Sequence, residues 1–381
     1  MLDINPARAR NSSPYLHPPS HRTIVMSYNG GSIGSGKRDM NEKMSSFLKQ
    51  RPREDMLKRH NDTIRTAVNS HDADNNATIT LVVYSGPNTK NPNAYTAHMA
   101  KLYEKNCDYF LIHGIDCNSA LATDTVIVVG HDYYDEYLPK IQQFNDKCRA
   151  IIGRDSIILV ARRNVCYDVE SARLALYGGV SGVRPMSDYD YFVFVNCGMT
   201  GPSPPSAKWP GPWTSHFTQL LDDTVKMSGL TLNCDSDPIH MMSIVYALDR
   251  VGLDIIKKSG AIFDCLDVNK NAPLLDPAAF NQYMIENYEL KMGREILDAG
   301  YGLRPLIQKD KGKGMIVTKE NAGDCDGEYY KDIWLGSRLM SAFDGRIPSL
   351  EDVLFFKTSR YLSPEIARQI NYTDEVNWNW N

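Results

Sequence analysis

From Ile79 onward, short runs of β-branched and aromatic residues alternate with segments of helical period, and this alternation leaves few folds open. The runs predict strands over Ile79–Tyr84, Thr125–Val129, Ser156–Val160, Tyr191–Val195 and Met227–Leu232. The segments between them predict helices over Ala97–Asn106, Tyr134–Phe144, Val169–Tyr177 and Phe217–Val225. Repeated strand–helix units fold as α/β domains, with a mostly parallel sheet covered by helices on both faces. Several helices carry their own end signals. Phe217, Leu220, Leu221 and Val225 share a stripe behind an N-cap at Thr214 or Ser215. Leu248, Val251 and Ile255 line a helix ending at Ser259-Gly260, and Leu290–Ala299 stops at Gly300, the residue type that best tolerates a left-handed C-cap.

The alternation does not reach the start of the chain. Residues 1–75 are polar and without periodicity, and their composition buries too little apolar surface to offset the entropy of ordering. They are expected to form a disordered tail ahead of one α/β domain over residues 76–381, with a long Gly- and Asp-rich loop region at 305–345. The tail has a charge balance of +4 and the remainder −8. The basic residues are not dense enough for a binding arm, and a net −4 gives no pull toward nucleic acid.

No stretch approaches the roughly 18 consecutive apolar residues of a membrane span, and no apolar signal segment opens the sequence. A soluble protein with neither signal nor anchor is therefore expected. The eight cysteines show no Cys-x-x-Cys spacing, which argues against a zinc ribbon or redox motif and leaves disulfides open. Four Asn-x-Ser/Thr sequons, at Asn11, Asn61, Asn76 and Asn371, weakly favour a luminal setting.

Five segments could carry chemistry. Gly31–Lys37 fits part of a P-loop, but Arg38 stands where Ser or Thr must hold magnesium, so a Gly/Ser-rich linker accounts for it better. The run Tyr191–Val195 ends abruptly at Asn196-Cys197-Gly198, and open α/β sheets bind ligands at the carboxyl ends of their strands. An ordinary exit from strand to loop reads equally well there. Arg162 and Arg163 at another strand end suit a diphosphate, with Asp168 as either an N-cap or a ligand contact. Asp235 and Asp237 could offer hard oxygen ligands to magnesium or manganese, but Asp-Ser-Asp-Pro is also a common solvated turn, the better reading. His240 beside them is more often structural than a ligand. Finally, Tyr288-Glu289 is expected to open a helix, where the dipole stabilises a carboxylate. The functional alternative is a general base aimed into a cleft, with Glu286 second in line.

Taken in order, these segments resemble a known family. Arg163–Asp168, Tyr191–Asn196 leading to Gly201-Pro202, Trp213-Thr214 with Phe217, Leu220–Asp223 and Lys226–Cys234 are similar to the rhamnan synthesis protein F-like glycosyltransferases. So are His240 with Ser243, Asp249–Leu253, Ile262–Cys265, Tyr288-Glu289 and Leu297–Tyr301. The resemblance runs from about Thr80 to Lys357 and omits the tail. It implies a GT-A-like fold and a transferase that moves a sugar from a nucleotide-diphosphate donor to a glycan or glycoconjugate acceptor. The donor would lie near Tyr84, Ser85, Arg163, Asp168 and Asn196, and Glu289 would be the catalytic base. Asn196 occupies the place where many such enzymes carry a metal-binding Asp-x-Asp motif, here Asn196-Cys197-Gly198. A magnesium or manganese ion would be the expected cofactor, and a Golgi or secretory polysaccharide pathway the setting. The rival readings are an inactive relative that binds a glycan or nucleotide and, remotely, a P-loop phosphotransferase.

Overall fold

The computed structural model describes residues 78–90, 97–115, 117, 123–163, 166–178, 180–234, 239–261, 277–307, 316–322, 349–359, 362 and 364–372. The tail, its P-loop-like run and most of 305–345 lie outside them.

Four parallel strands form one half of the sheet: β1 (Thr80–Ser85), β2 (Thr123–Gly130), β3 (Ile157–Arg162) and β4 (Tyr191–Asn196). Helices α1 (Ala97–His113), α2 (His131–Ile152) and α3 (Tyr167–Tyr177) connect them. Every residue of β1 is buried, as expected of the Thr-Leu-Val-Val-Tyr-Ser run of a central parallel strand. Beyond β4 come the short strand β5 (Met199–Thr200), the single turn α4 (Ser215–Thr218), β6 (Val225–Gly229), the two-residue strands β7 (Leu232–Asn233) and β8 (His240–Met241), and β9 (Val245–Asp249). Then follow α5 (Arg250–Ser259), α6 (Pro277–Met284), a π-helical turn over Ile285–Glu289, α7 (Leu290–Asp298) and β10 (Gly302–Pro305). The strand β11 (Phe356–Lys357) pairs with β5, and α8 (Pro364–Gln369) follows.

The main sheet has seven strands in the order β10-β6-β9-β4-β1-β2-β3, all parallel except β9, which runs antiparallel to both β4 and β6. The expected α/β class, mostly parallel with helices on both faces, is thus the observed one. Alternation along the strands builds two cores. One face buries Val82 and Tyr84 against α1 and α2, through Leu102, Phe110, Tyr133 and Tyr137. The other buries Leu81 and Val83 against α3, α5 and α7, through Ala172, Leu253 and Ile296. The first core continues into an aromatic cluster in which the Trp213 ring meets Phe110, Phe217 and Phe355 edge-on, while its Nε1 donates to Gly114 O at 2.8 Å.

Three predicted elements come out differently. The helix expected over Phe217–Val225 is only α4, and Thr214 caps it without a side-chain hydrogen bond. Asp222 stops the segment: its Oδ1 accepts from Thr224 N (2.7 Å), Thr224 Oγ1 (2.7 Å) and Val225 N (2.9 Å), a local turn that competes with helix. Val225 then enters β6. Leu248, expected on a helix, lies in β9, because Asp249 caps α5 by accepting from Gly252 N at 2.8 Å. Glycine is required at 252: a Cβ there would sit 2.2 Å from the Lys226 carbonyl oxygen. Glu289 opens no helix, since the chain is already helical from Pro277. The predicted ends at Gly260 (φ 75°) and Gly300 (φ 85°) both occur in left-handed conformation.

Candidate functional site

The sheet order reverses between β1 and β4: from β1 the chain adds strands outward on one side, then returns to β1's other edge. Open α/β sheets bind ligands outside the carboxyl ends of the strands at such a switch point. A cavity of about 160 Å³ lies there. Its floor comes from Val83 and Ser85 of β1 with Phe194 and Val195 of β4. One wall is the start of α3, with Tyr167, Asp168 and Ser171. Facing it are Met284, Tyr288, Glu289 and Met292 of the long helix, and Ser243 and Tyr246 close the third side.

The local structure explains why these side chains converge. Cys166 and Tyr167 hold φ of 56° and 49°, a left-handed pair of non-glycine residues immediately before Asp168. Such conformations cost about 1–3 kcal/mol each and persist only where surrounding contacts enforce them. Here Arg162, buried at the end of β3, donates from Nη1 to the Tyr167 carbonyl at 2.6 Å, and Cys166 is disulfide-bonded. The second Arg162 Nη reaches Ser85 Oγ at 3.4 Å, and that hydroxyl pairs with Ser171 Oγ at 2.7 Å. On the opposite wall the π-helical turn sets Tyr288 and Glu289 against the cavity, and π-turns within α-helices recur at functional sites. Ser243 N–H donates to Glu289 Oε1 at 3.2 Å and fixes its orientation.

Two carboxylates therefore share a small, partly enclosed space. Burial, and next the Glu289 carboxylate, raise the proton affinity of Asp168 above the ordinary carboxylate range, against the opposing pull of Arg162 and an Asn196 Nδ2 contact at 3.5 Å. Burial and both carboxylates push the Tyr246 phenol well up. The folded protein thus holds the Asp168 proton more tightly than the unfolded chain, whose carboxylates titrate near about 3.9. This group makes stability fall as pH rises from that value through the raised folded one, so its penalty is larger at neutral pH than near pH 4. Asp168→Asn is accordingly expected to melt higher than wild type at neutral pH, by roughly the 0.5–2 kcal/mol typical of relieving a functional site, with the gap closing toward pH 4. Melting curves at the two pH values check this, and a variant no more stable at neutral pH would contradict it.

Of the residues expected at the site from sequence, Ser85, Asp168 and Glu289 line the cavity, and Asn196 adjoins it through Asp168. Tyr84 does not join them. Its side chain points to the other face of the sheet, fully buried and stacked on Phe110 at 4.2 Å. Arg163 is exposed, while its neighbour Arg162 is the buried cation beside the site. His240 is buried under α7, its backbone against Gly293. Asp235 and Asp237 lie outside the described residues. Glu286 is exposed and accepts from Gln282 Nε2 at 2.7 Å. Sequence reasoning missed Tyr246 because β9 was not recognised as a strand, and it named Ser243 only within the resemblance, without a place at the site.

The residues at the Asp-x-Asp place do not fit magnesium or manganese. Asn196 turns its Oδ1 to Gly198 N–H at 3.0 Å, and Cys197 is a buried thiol pushed by that burial up to about 12. Among the described residues no group of three His, Cys, Asp or Glu side chains is placed to hold a metal ion. Nor is any described helix long and apolar enough to cross a membrane.

No family model matches the chain, and no curated protein does. Several solved structures are similar to it. HddC from Yersinia pseudotuberculosis complexed with GMP-PN is 10% identical over 46% of this chain and 79% of that one, with a TM-score of 0.28. A UDP-glucose pyrophosphorylase complexed with UDP-glucose is 9% identical over 48% and 80%, with a TM-score of 0.26. A glycosyltransferase involved in glycosylation of the major capsid of PBCV-1 is 15% identical over 43% and 74%, with a TM-score of 0.25. At such identities and scores the similarity concerns the general α/β fold alone.

Proposed function

We propose that the protein is a glycosyltransferase that moves a sugar from a nucleotide-diphosphate donor to the hydroxyl of a glycan or glycoconjugate. The observation that carries this reading is the cavity at the β1/β4 switch point, with Glu289 held on one wall and Asp168 on the other. Transfer to a hydroxyl needs that hydroxyl deprotonated as the new bond forms. Glu289, oriented by Ser243 N–H through Oε1, is the base that accepts the proton. Arg162 and the strand end at Asn196 border the place for the donor, beside the cavity floor at Ser85. Arg162, a buried cation within electrostatic reach of Asp168, favours a diphosphate beside it and outside the carboxylate pair. No step is assigned to a metal ion, since the residues at the expected position do not suit one.

A second reading has its own support. The absence of an acidic side chain at Asn196-Cys197-Gly198 favours a protein that keeps the binding site and has lost turnover. The bonded Cys117–Cys148 pair supports folding in an oxidising compartment such as the secretory pathway.

A thermal-shift series with UDP-, GDP- and TDP-sugars against ATP separates these readings from a phosphotransferase. Ligand at about 100 Kd stabilises by roughly 2.7 kcal/mol. Stabilisation by a nucleotide sugar, followed by release of its nucleoside diphosphate in the presence of acceptor, is the expected result. Stabilisation by ATP alone would refute the proposal, and donor binding without release would favour the inactive relative.

A further inference from the structure

The cavity's hydrogen-bonding groups are unevenly satisfied, and the imbalance describes a ligand. Tyr246 is 6% exposed, and its ring stacks on Phe194 at 4.8 Å, so its orientation is set by packing. Its hydroxyl lies within electrostatic reach of Asp168 and Glu289 yet makes no hydrogen bond among the described residues. A buried phenol normally finds a partner. Here the phenol is presented to a space that also holds two carboxylate acceptors, with the hydroxyls of Ser171 and Ser243 and the Asn281 amide on its lining. Glu289 spends Oε1 on Ser243 N–H, and its second oxygen is unclaimed among the described residues.

A bare cation would satisfy the carboxylates and leave the phenol O–H unused, because a cation accepts no hydrogen bond. An anion would satisfy the phenol and be repelled by both carboxylates. A neutral polyhydroxylated compound satisfies all three, since each hydroxyl both donates and accepts. Size narrows the class further. A cavity of about 160 Å³ is well below the roughly 300–1,000 Å³ of sites that enclose drug-sized ligands, so it encloses about one ring and not a nucleotide sugar. Met284, Tyr288 and Met292 supply an apolar wall for the C–H face of such a ring.

We propose that this cavity is the acceptor subsite and that it takes one neutral sugar ring, with Tyr246 donating to a ring hydroxyl and Asp168 and Glu289 accepting from others, to the exclusion of uronic acids and sugar phosphates. The inference rests on the transferase reading for the word acceptor, whereas the binding it describes is measurable without any donor. Saturation-transfer NMR on the full chain, without nucleotide, would be run with methyl glycosides of neutral hexoses and pentoses, the matching methyl uronides, and magnesium or manganese chloride as competitor. At least one neutral glycoside is expected to bind, and its uronide to bind at least about tenfold more weakly at neutral pH. Tyr246→Phe keeps the ring and its stacking, so it should fold as wild type, and it should weaken the neutral glycoside roughly 3- to 10-fold by removing one hydrogen bond. Binding of a uronide as tightly as its neutral counterpart, displacement of the glycoside by the divalent cation alone, equal affinity in Tyr246→Phe, or no binding by any neutral glycoside would each overturn the inference. Failure here with nucleotide sugars still turned over would leave the transferase reading standing. Glycoside binding with no donor bound or consumed would remove the transferase reading and leave a glycan-binding site.

Discussion

Glu289→Gln is expected to lower kcat by about 10²- to 10⁴-fold, the usual contribution of general base catalysis. Glutamine keeps the shape and can still accept from Ser243 N–H, so the melting temperature should barely move. Donor affinity should also be unchanged, because in the transferase reading Glu289 faces the acceptor. The helix-dipole explanation of this carboxylate no longer applies, since Glu289 lies well inside a helical stretch beginning at Pro277. Steady-state kinetics with any active donor, alongside donor titration, decides the matter. A variant turning over within about threefold of wild type would take Glu289 out of the mechanism and make Asp168, not the exposed Glu286, the next candidate.

Removing the Cys117–Cys148 disulfide should be the largest stability effect of a conservative change. The bridge closes a loop with a sequence separation of 31 and joins Cys117, beyond the end of α1, to the buried face of α2. In the chain-entropy account a loop of that length is worth about 3–4 kcal/mol. The double variant Cys117→Ala/Cys148→Ala is therefore expected to lose that much in denaturant-extrapolated stability, with a fall of roughly 10 °C in Tm for a domain of this size. It leaves the bonded Cys166 and Cys234 untouched, which treatment with a reductant would not. A loss under about 1 kcal/mol would mean that native contacts, and not the bridge, hold this loop.

The sheet was legible where strand chemistry was unambiguous. The runs that became β1, β2, β3 and β4 are continuous, β-branched and bounded by polar or glycine residues, so burial on both faces is written into their composition. The β9 strand was not, because Val245–Asp249 adjoins the helical stripe of Val251 and Ile255 without a break that composition alone reveals. The boundary lies in one hydrogen bond from Gly252 N to Asp249. The same kind of local bond at Asp222 ended a helix that periodicity extended to Val225. At the site, residue types at a strand end and a helix start pointed to Asn196 and Asp168, and the family resemblance to Ser85, whereas facing direction followed from neither. Tyr84 and Ser85 are neighbours in sequence and belong to opposite faces of the sheet, and of the neighbouring Arg162 and Arg163 the first is buried and the second exposed. Tyr246 becomes visible only once the antiparallel pairing of Phe194 with Tyr246 is known.

The π-helical turn over Ile285–Glu289 amounts to an α-helix carrying one residue too many. Deleting any one of its five residues would restore regular i to i+4 bonding and make a better helix. It would leave the flanking helical segments in register and remove the local widening that sets Tyr288 and Glu289 against the cavity. The helix before β10 thus has two alternative lengths with opposite merits. The shorter is sturdier and presents one side-chain stripe; the longer is weaker and presents Met284, Tyr288, Glu289 and Met292 to the same opening. The residue spacing from Met284 to Met292 is therefore a length that the cavity needs and that the helix, for its own stability, does not.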